Sequence, residues 1–156
     1  MAILGAHMSM AGGYYRAVDA AEEHGCDCVQ LFTKNNNQWR ARPIEDQDVT
    51  LFRKSLEDSG IKHSLSHASY LINLASPDRG LWKKSIDAMV IELARADQLG
   101  IPYVVVHPGS YTSSSEQAGI KQIGKALDEI HQQARTLSTR CLLETTAGQG
   151  TNLGWK

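Results

Sequence analysis

Apolar positions along the chain repeat one pattern: a short apolar run, a polar or glycine-containing loop, then apolar residues at helical spacing. Residues 3–9 form the first run, and Gly12-Gly13 leads into a segment with Ala17, Val18 and Ala21 on one face that ends near Gly25. The second run, residues 28–33, is followed by a long polar loop over residues 34–43. Val49, Phe52 and Leu56 then mark a helix face stopped by Gly60. A weaker third run covers residues 62–66, and Ser76-Pro77-Asp78 precedes a helix carrying Trp82, Ile86, Met89 and Leu93 that ends at Gly100. Residues 103–106 are continuously apolar, as expected of a strand covered on both sides. Ile120, Ile123, Leu127, Ile130, Ala134 and Leu137 mark the clearest helix, which Ser115 caps ahead of Glu116. A fifth strand begins at residues 141–143.

Strands alternating with helices at this spacing imply right-handed βαβ units and a parallel sheet with helices outside. A doubly wound sheet and a (β/α)8 barrel both meet that description. No Gly-x-Gly-x-x-Gly follows a strand and no Walker loop is present, so the nucleotide-binding sheet loses its main support. The expectation is an α/β fold of TIM (β/α)8 barrel type. A length of 156 residues suits a single domain, but a complete barrel takes about 250. The reading is therefore an incomplete barrel, about the first five βα units, with residues 1–156 in one domain and no second domain.

Composition narrows this picture a little. The chain is 42% hydrophobic, with Lys+Arg 16 against Asp+Glu 17, which excludes a disordered tail and leaves polyanion binding to local basic patches. No apolar run approaches a membrane span, and the first residues are too short and uncharged for a signal peptide, so a cytoplasmic location without membrane contact is expected. Cys26, Cys28 and Cys141 are an odd count and are expected to be reduced.

In an eight-fold barrel the chemistry lies where strands end. Those positions hold His7, Thr33 with Lys34, His67, His107 and Glu144. His24 and His131 fall in helical segments, and His63 is expected deeper on the strand face of His67, in a packing role. Imidazoles and a carboxylate at His67, His107 and Glu144 suit zinc or another first-row divalent metal; any one of these histidines can equally be a strand end bonded to a neighbouring loop. The loop Lys34-Asn35-Asn36-Asn37-Gln38-Trp39-Arg40-Ala41-Arg42 has three cations, four amides and an indole and no acid. Such a loop can contact phosphates and bases, with Trp39 either stacking or packed on the rim. Tyr70 and Leu71 can wedge into a base stack if exposed, or anchor their loop if buried. Ser110, in Pro108-Gly109-Ser110, is a possible hydrogen-bond donor.

Together these motifs form a recognisable set: Gly5-Ala6-His7-x-Ser9, Leu31-Phe32-Thr33-Lys34-Asn35 with Gln38-Trp39-Arg40, His67-x-Ser69-Tyr70-Leu71-Ile72-Asn73-Leu74, His107-Pro108-Gly109-Ser110, and Glu144-x-Thr146-Ala147-Gly148-Gln149-Gly150. The set resembles the endonuclease IV (deoxyribonuclease IV) family of abasic-site DNA repair enzymes. The resemblance implies a TIM barrel with three zinc ions that hydrolyses the phosphodiester 5′ to an abasic site in double-stranded DNA and leaves a 3′-hydroxyl. It further implies His67, His107 and Glu144 as metal ligands, with Glu144 bridging two ions and so serving catalysis. Lys34, Asn35, Asn37, Gln38, Trp39, Arg40, Tyr70 and Leu71 would contact DNA, with His7, Ser9, Ser110 and Gln149 on the top face; no protein partner is implied. One departure is Asn37, where the family often has Arg two residues before the Trp. The family's later Asp, His and Glu ligands have no counterpart before Lys156, so the 156-residue chain alone is expected to be inactive or weakly active. Two other readings stand beside this one: a metal-dependent sugar isomerase or epimerase of similar barrel, and a non-catalytic fragment.

Overall fold

The computed structural model describes residues 2–155; Lys156, on which the expectation about missing ligands partly turned, lies outside them. In chain order the elements are β1 (Gly5–His7), α1 (Tyr14–Glu23), β2 (Cys28–Phe32), α2 (Asp46–Asp58), β3 (His63–His67), α3 (Arg79–Leu99), β4 (Tyr103–Val106), α4 (Glu116–Gln133) and β5 (Arg140–Leu143). The strands lie in the order β1-β2-β3-β4-β5, and each neighbouring pair is parallel. Sequential order is what a barrel wall requires; a doubly wound sheet would reverse direction at a switch point.

The helix boundaries follow local chemistry. Asp78 caps α3, its Oδ1 accepting from Leu81 N at 2.6 Å, and Gly100 ends it at φ 83, a left-handed conformation that costs glycine little. Ser115 caps α4 by accepting from Ala118 N at 3.3 Å, and Glu45 with Asp48 closes a capping box on α2. Some boundaries depart from the apolar pattern: β1 is shorter than its run, leaving Ile3 and Leu4 outside it and exposed, β3 runs on to His67, and α4 stops at Gln133, leaving Ala134 and Leu137 beyond its end. His24 is the residue just past α1, while His131 lies within α4.

Along β2 and β4 the two faces of the sheet differ sharply, whereas on the edge strand β5 Leu143, in register with Val106, is itself 46% exposed. Toward the helices, Val29, Leu31, Val104 and Val106 meet Ala17, Phe52, Met89, Leu93 and Ile130, all at most 1% exposed. The other set of alternating side chains includes Phe32, Tyr103, Val105 and Leu142, of which Tyr103 is 39% and Leu142 38% exposed. The expectation that the fourth strand is covered on both sides is therefore corrected: only its helix-facing side is buried. His63 is corrected for the same reason, since it begins β3 on the open face, at the end away from His67, and is exposed rather than packed.

Candidate metal centre and nucleic-acid interface

The parallel register brings three strand ends to one place. His67 closes β3, His107 follows β4, and Glu144 follows β5, with its N–H donating to Val106 O at 3.0 Å. One ligand-type atom from each of His67, His107 and Glu144 lies within 4.8 Å of the other two. Glu144 Oε2 stands 2.9 Å from His67 Nε2 and 3.2 Å from His107 Nε2.

His67 decides what this cluster can hold. Its Nδ1 lies 2.8 Å from Ala68 O, which only accepts, so Nδ1 carries the hydrogen. In the neutral ring Nε2 then presents a lone pair to a carboxylate oxygen 2.9 Å away. Two acceptors at that distance need a shared proton or a metal ion between them. A histidine oriented by a backbone carbonyl on its other nitrogen is also the usual arrangement of a metal ligand. His67 is only 6% exposed, whereas His107 and Glu144 are about half open to solvent, so the cluster has a buried base and an accessible mouth.

Aromatic rings fix this base. Phe32 and Tyr70 meet His67 at centroid distances of 5.7 and 5.4 Å, and the His7 ring packs on Phe32 at 4.3 Å, tilted by 51°, with Nδ1 2.9 Å from Gln30 Oε1. His7 thus shares the face of the cluster but is oriented by Gln30. Ser9, Ser110 and Gln149 form no hydrogen bond with the three clustered side chains. Ser9 Oγ accepts from Ala11 N, Ser110 Oγ pairs with Thr151 Oγ1 at 2.5 Å, and Gln149 is exposed with its carbonyl accepting from Asn152 N.

Asn73 holds the turn after His107. Its Nδ2 donates to Ser110 O and its Oδ1 accepts from Ser110 N, both at 2.9 Å. The turn passes so close that a Cβ at Gly109, whose φ is 115, would lie 2.3 Å from Asn73 Oδ1. Beside it, a cavity of about 260 Å³ is lined by Ser69, Tyr70, Asn73 and His107.

The long loop after β2 is partly corrected. Asn35, Asn37, Gln38 and Arg40 are exposed, as a reading surface requires. Lys34 is not: at 5% exposure it pairs with buried Glu92 of α3 at 3.4 Å and donates to Gln38 O at 2.6 Å. It supports the loop from beneath and is closed to a phosphate. Trp39 is half-buried against the core with Lys84 Nζ 4.3 Å above its ring, so packing is its observed role. Tyr70 is 58% exposed and Leu71 half-buried on the same rim. Nothing in the sequence marks Glu92 or Arg95 as important to this region, and Asn73, though it stands in the motif that begins at His67, is given no role by it; a charge or amide within a helical or loop pattern reads as solvated until its tertiary partners are known.

Burial pushes the Cys141 thiol from 9.0 up to about 11. Cys26, Cys28 and Cys141 are free thiols, in keeping with the expected reduced state.

Residues 18–156 match the family model of the xylose isomerase-like TIM barrel. A Trichlorobacter lovleyi protein named "Probable endonuclease 4" is 46% identical over 151 residues, covering 97% of this chain and 54% of that protein. A Geobacter protein of the same name is 45% identical over 156 residues, covering 100% and 55%. The crystal structure of endonuclease IV from Thermus thermophilus superposes with a TM-score of 0.82 at 35% identity, over 95% of this chain and 53% of that one. A D-psicose 3-epimerase structure superposes at 0.66 with 16% identity, a likeness of fold alone. The chain spans about half the length of the relatives it matches. It belongs to the xylose isomerase-like TIM barrel family, and within that family it stands with the endonuclease IV proteins.

Proposed function

We propose that this chain forms the metal-binding and DNA-reading face of an abasic-site endonuclease, a DNA repair enzyme that hydrolyses the phosphodiester 5′ to an abasic site and leaves a 3′-hydroxyl. The observation that carries the reading is the convergence of His67, His107 and Glu144 at one point beneath a rim bearing exposed Tyr70. Two imidazoles and a carboxylate suit zinc. His67, His107 and Glu144 would hold a divalent ion, which would supply charge neutralisation to a phosphodiester and lower the pKa of a water molecule.

The chain's own residues do the rest. Ala68 O keeps His67 in the tautomer that directs Nε2 at the cluster, and the phenyl ring of Phe32 excludes water from the buried side. Exposed Arg40 brings positive charge to a loop of amides, suited to the backbone and groove edges of a duplex. Tyr70 and Leu71 stand where a duplex seated over the cluster would be unstacked, at the least cost where a base is already missing. Lys34 has no direct DNA contact in this scheme. A cytoplasmic location is part of the same proposal; among the described residues no helix is long and apolar enough to cross a membrane.

Binding of fluorescent duplexes tests the reading. With zinc present, the chain is expected to prefer a duplex carrying a tetrahydrofuran abasic analogue over the intact duplex, and Tyr70→Ala is expected to lower that preference about tenfold. Equal affinity for both duplexes, or tighter binding of a free ketohexose, overturns it.

A further inference from the structure

Beneath the two rim loops lies a buried charged network that the metal cluster does not use. Glu92, 1% exposed on α3, reaches both loops at once. Its Oε2 accepts from Thr33 Oγ1 at 3.1 Å and its Oε1 from Ser69 N at 3.0 Å, with Lys34 Nζ at 3.4 Å. One turn along the same helix, Arg95 spans the two ends of the first loop: Nη2 donates to Thr33 O at 2.5 Å and Nη1 to Arg42 O at 2.7 Å. The phenol of Tyr14 adds a donor to Thr33 O at 2.9 Å. The loops also touch directly, since Ser69 Oγ donates to Asn36 O at 2.6 Å.

A carboxylate and a guanidinium taken from water into a core cost free energy unless every polar atom is matched. Glu92 is well matched, through bonds that no single loop could supply. Arg95 faces only neutral acceptors, and its Nε has no partner. A neutral apolar helix face would fill this space at lower electrostatic cost, so the arrangement is expensive as mere packing.

We infer that Glu92 and Arg95 are positioning residues that lock the loop of residues 33–42 and the loop beginning at Ser69 into one rigid reading unit, so that the exposed side chains at 35–40 and at Tyr70 meet a duplex in fixed relative placement. The inference rests on the proposed DNA reading for its purpose, but not for its existence. Rigid placement of two contact groups means that the ordering is completed at folding, and binding does not have to supply it. Ser69 stands two residues after His67, so the same lock sets the rim above the metal cluster.

Amide hydrogen exchange on the metal-free chain tests the lock without DNA. Thr33→Val removes one bond to Glu92 with little change of shape, and Glu92→Gln removes the charge. Both are expected to speed exchange about tenfold in segments 34–42 and 69–74 together, while α4 is unchanged. Ile130→Ala, a core change on α4, is expected to loosen α4 without loosening the two loops selectively. Faster exchange in one loop only, or equally everywhere, overturns the inference. The duplex arm uses the abasic analogue: Thr33→Val and Tyr70→Ala combined are expected to weaken binding less than the product of the single effects, because Tyr70 in an unlocked loop has already lost its placement. Effects that simply multiply contradict the lock. If the wild-type chain fails to distinguish the two duplexes, the endonuclease reading fails, and the exchange arm still decides the lock.

Discussion

Along β2 and β4 the helix-facing and open faces of the sheet are built from alternating residues of the same strands, yet they have opposite characters. On one, Val29, Leu31, Val104 and Val106 are sealed against four helices. On the other, Tyr103 and Leu142 remain more than a third exposed, and the ends of the strands carry His67, His107 and Glu144. The difference separates stability from chemistry. The closed face holds the fold together through apolar burial, and the open face can therefore carry a carboxylate and imidazoles that would be costly in a core.

The sharpest way to break this comparison is to cut equal side chains from both faces. Leu31→Ala is expected to destabilise the chain by about 2–5 kcal/mol, and Leu142→Ala by less than about 1 kcal/mol, as read from urea unfolding. Similar losses would show that the open face also carries core. A smaller effect concerns Cys141, on the helix-facing parity of β5. Its folded-state thiol titrates near 11 instead of 9.0. Between those values the unfolded chain releases a proton that the folded chain retains, so stability falls as pH rises through this window and is untouched below it. The expected loss is about 2–3 kcal/mol, and Cys141→Ala should flatten the pH dependence of the urea midpoint. Smaller again is the cap of the helix that seals the closed face: Asp78→Ala is expected to cost about 1 kcal/mol, measured the same way, because Leu81 N loses its acceptor.

Most of the closed face was legible in the sequence, because apolar spacing reports which side of an element meets another. The five strands and the four helices follow from it, and the cap at Ser115 was legible from its place ahead of Glu116, whereas the cap at Asp78 came from the structure. The open face was less legible. The continuous run at residues 103–106 reads as buried on both sides, but burial of Tyr103 and Val105 depends on what lies across the sheet, which spacing does not encode. At the rim, the motifs marked His67, His107, Glu144 and Tyr70, and the structure brings those four together. Lys34 was misplaced for an electrostatic reason. Its partner Glu92 lies 58 residues away in a helix pattern where a glutamate looks solvated, so a buried ion pair read as a free surface cation. Asn73 stood in the motif but without a role, since its two bonds to Ser110 cross between neighbouring strand ends.

The proposal that His67, His107 and Glu144 hold a metal ion at the mouth of the open face is decided by calorimetric titration of the chain with zinc at neutral pH. The account predicts about one ion bound per chain, lost in His67→Ala and in Glu144→Gln and retained in His63→Ala, whose side chain lies at the far end of β3. Binding that survives Glu144→Gln, or a wild-type chain that binds no zinc, would contradict it.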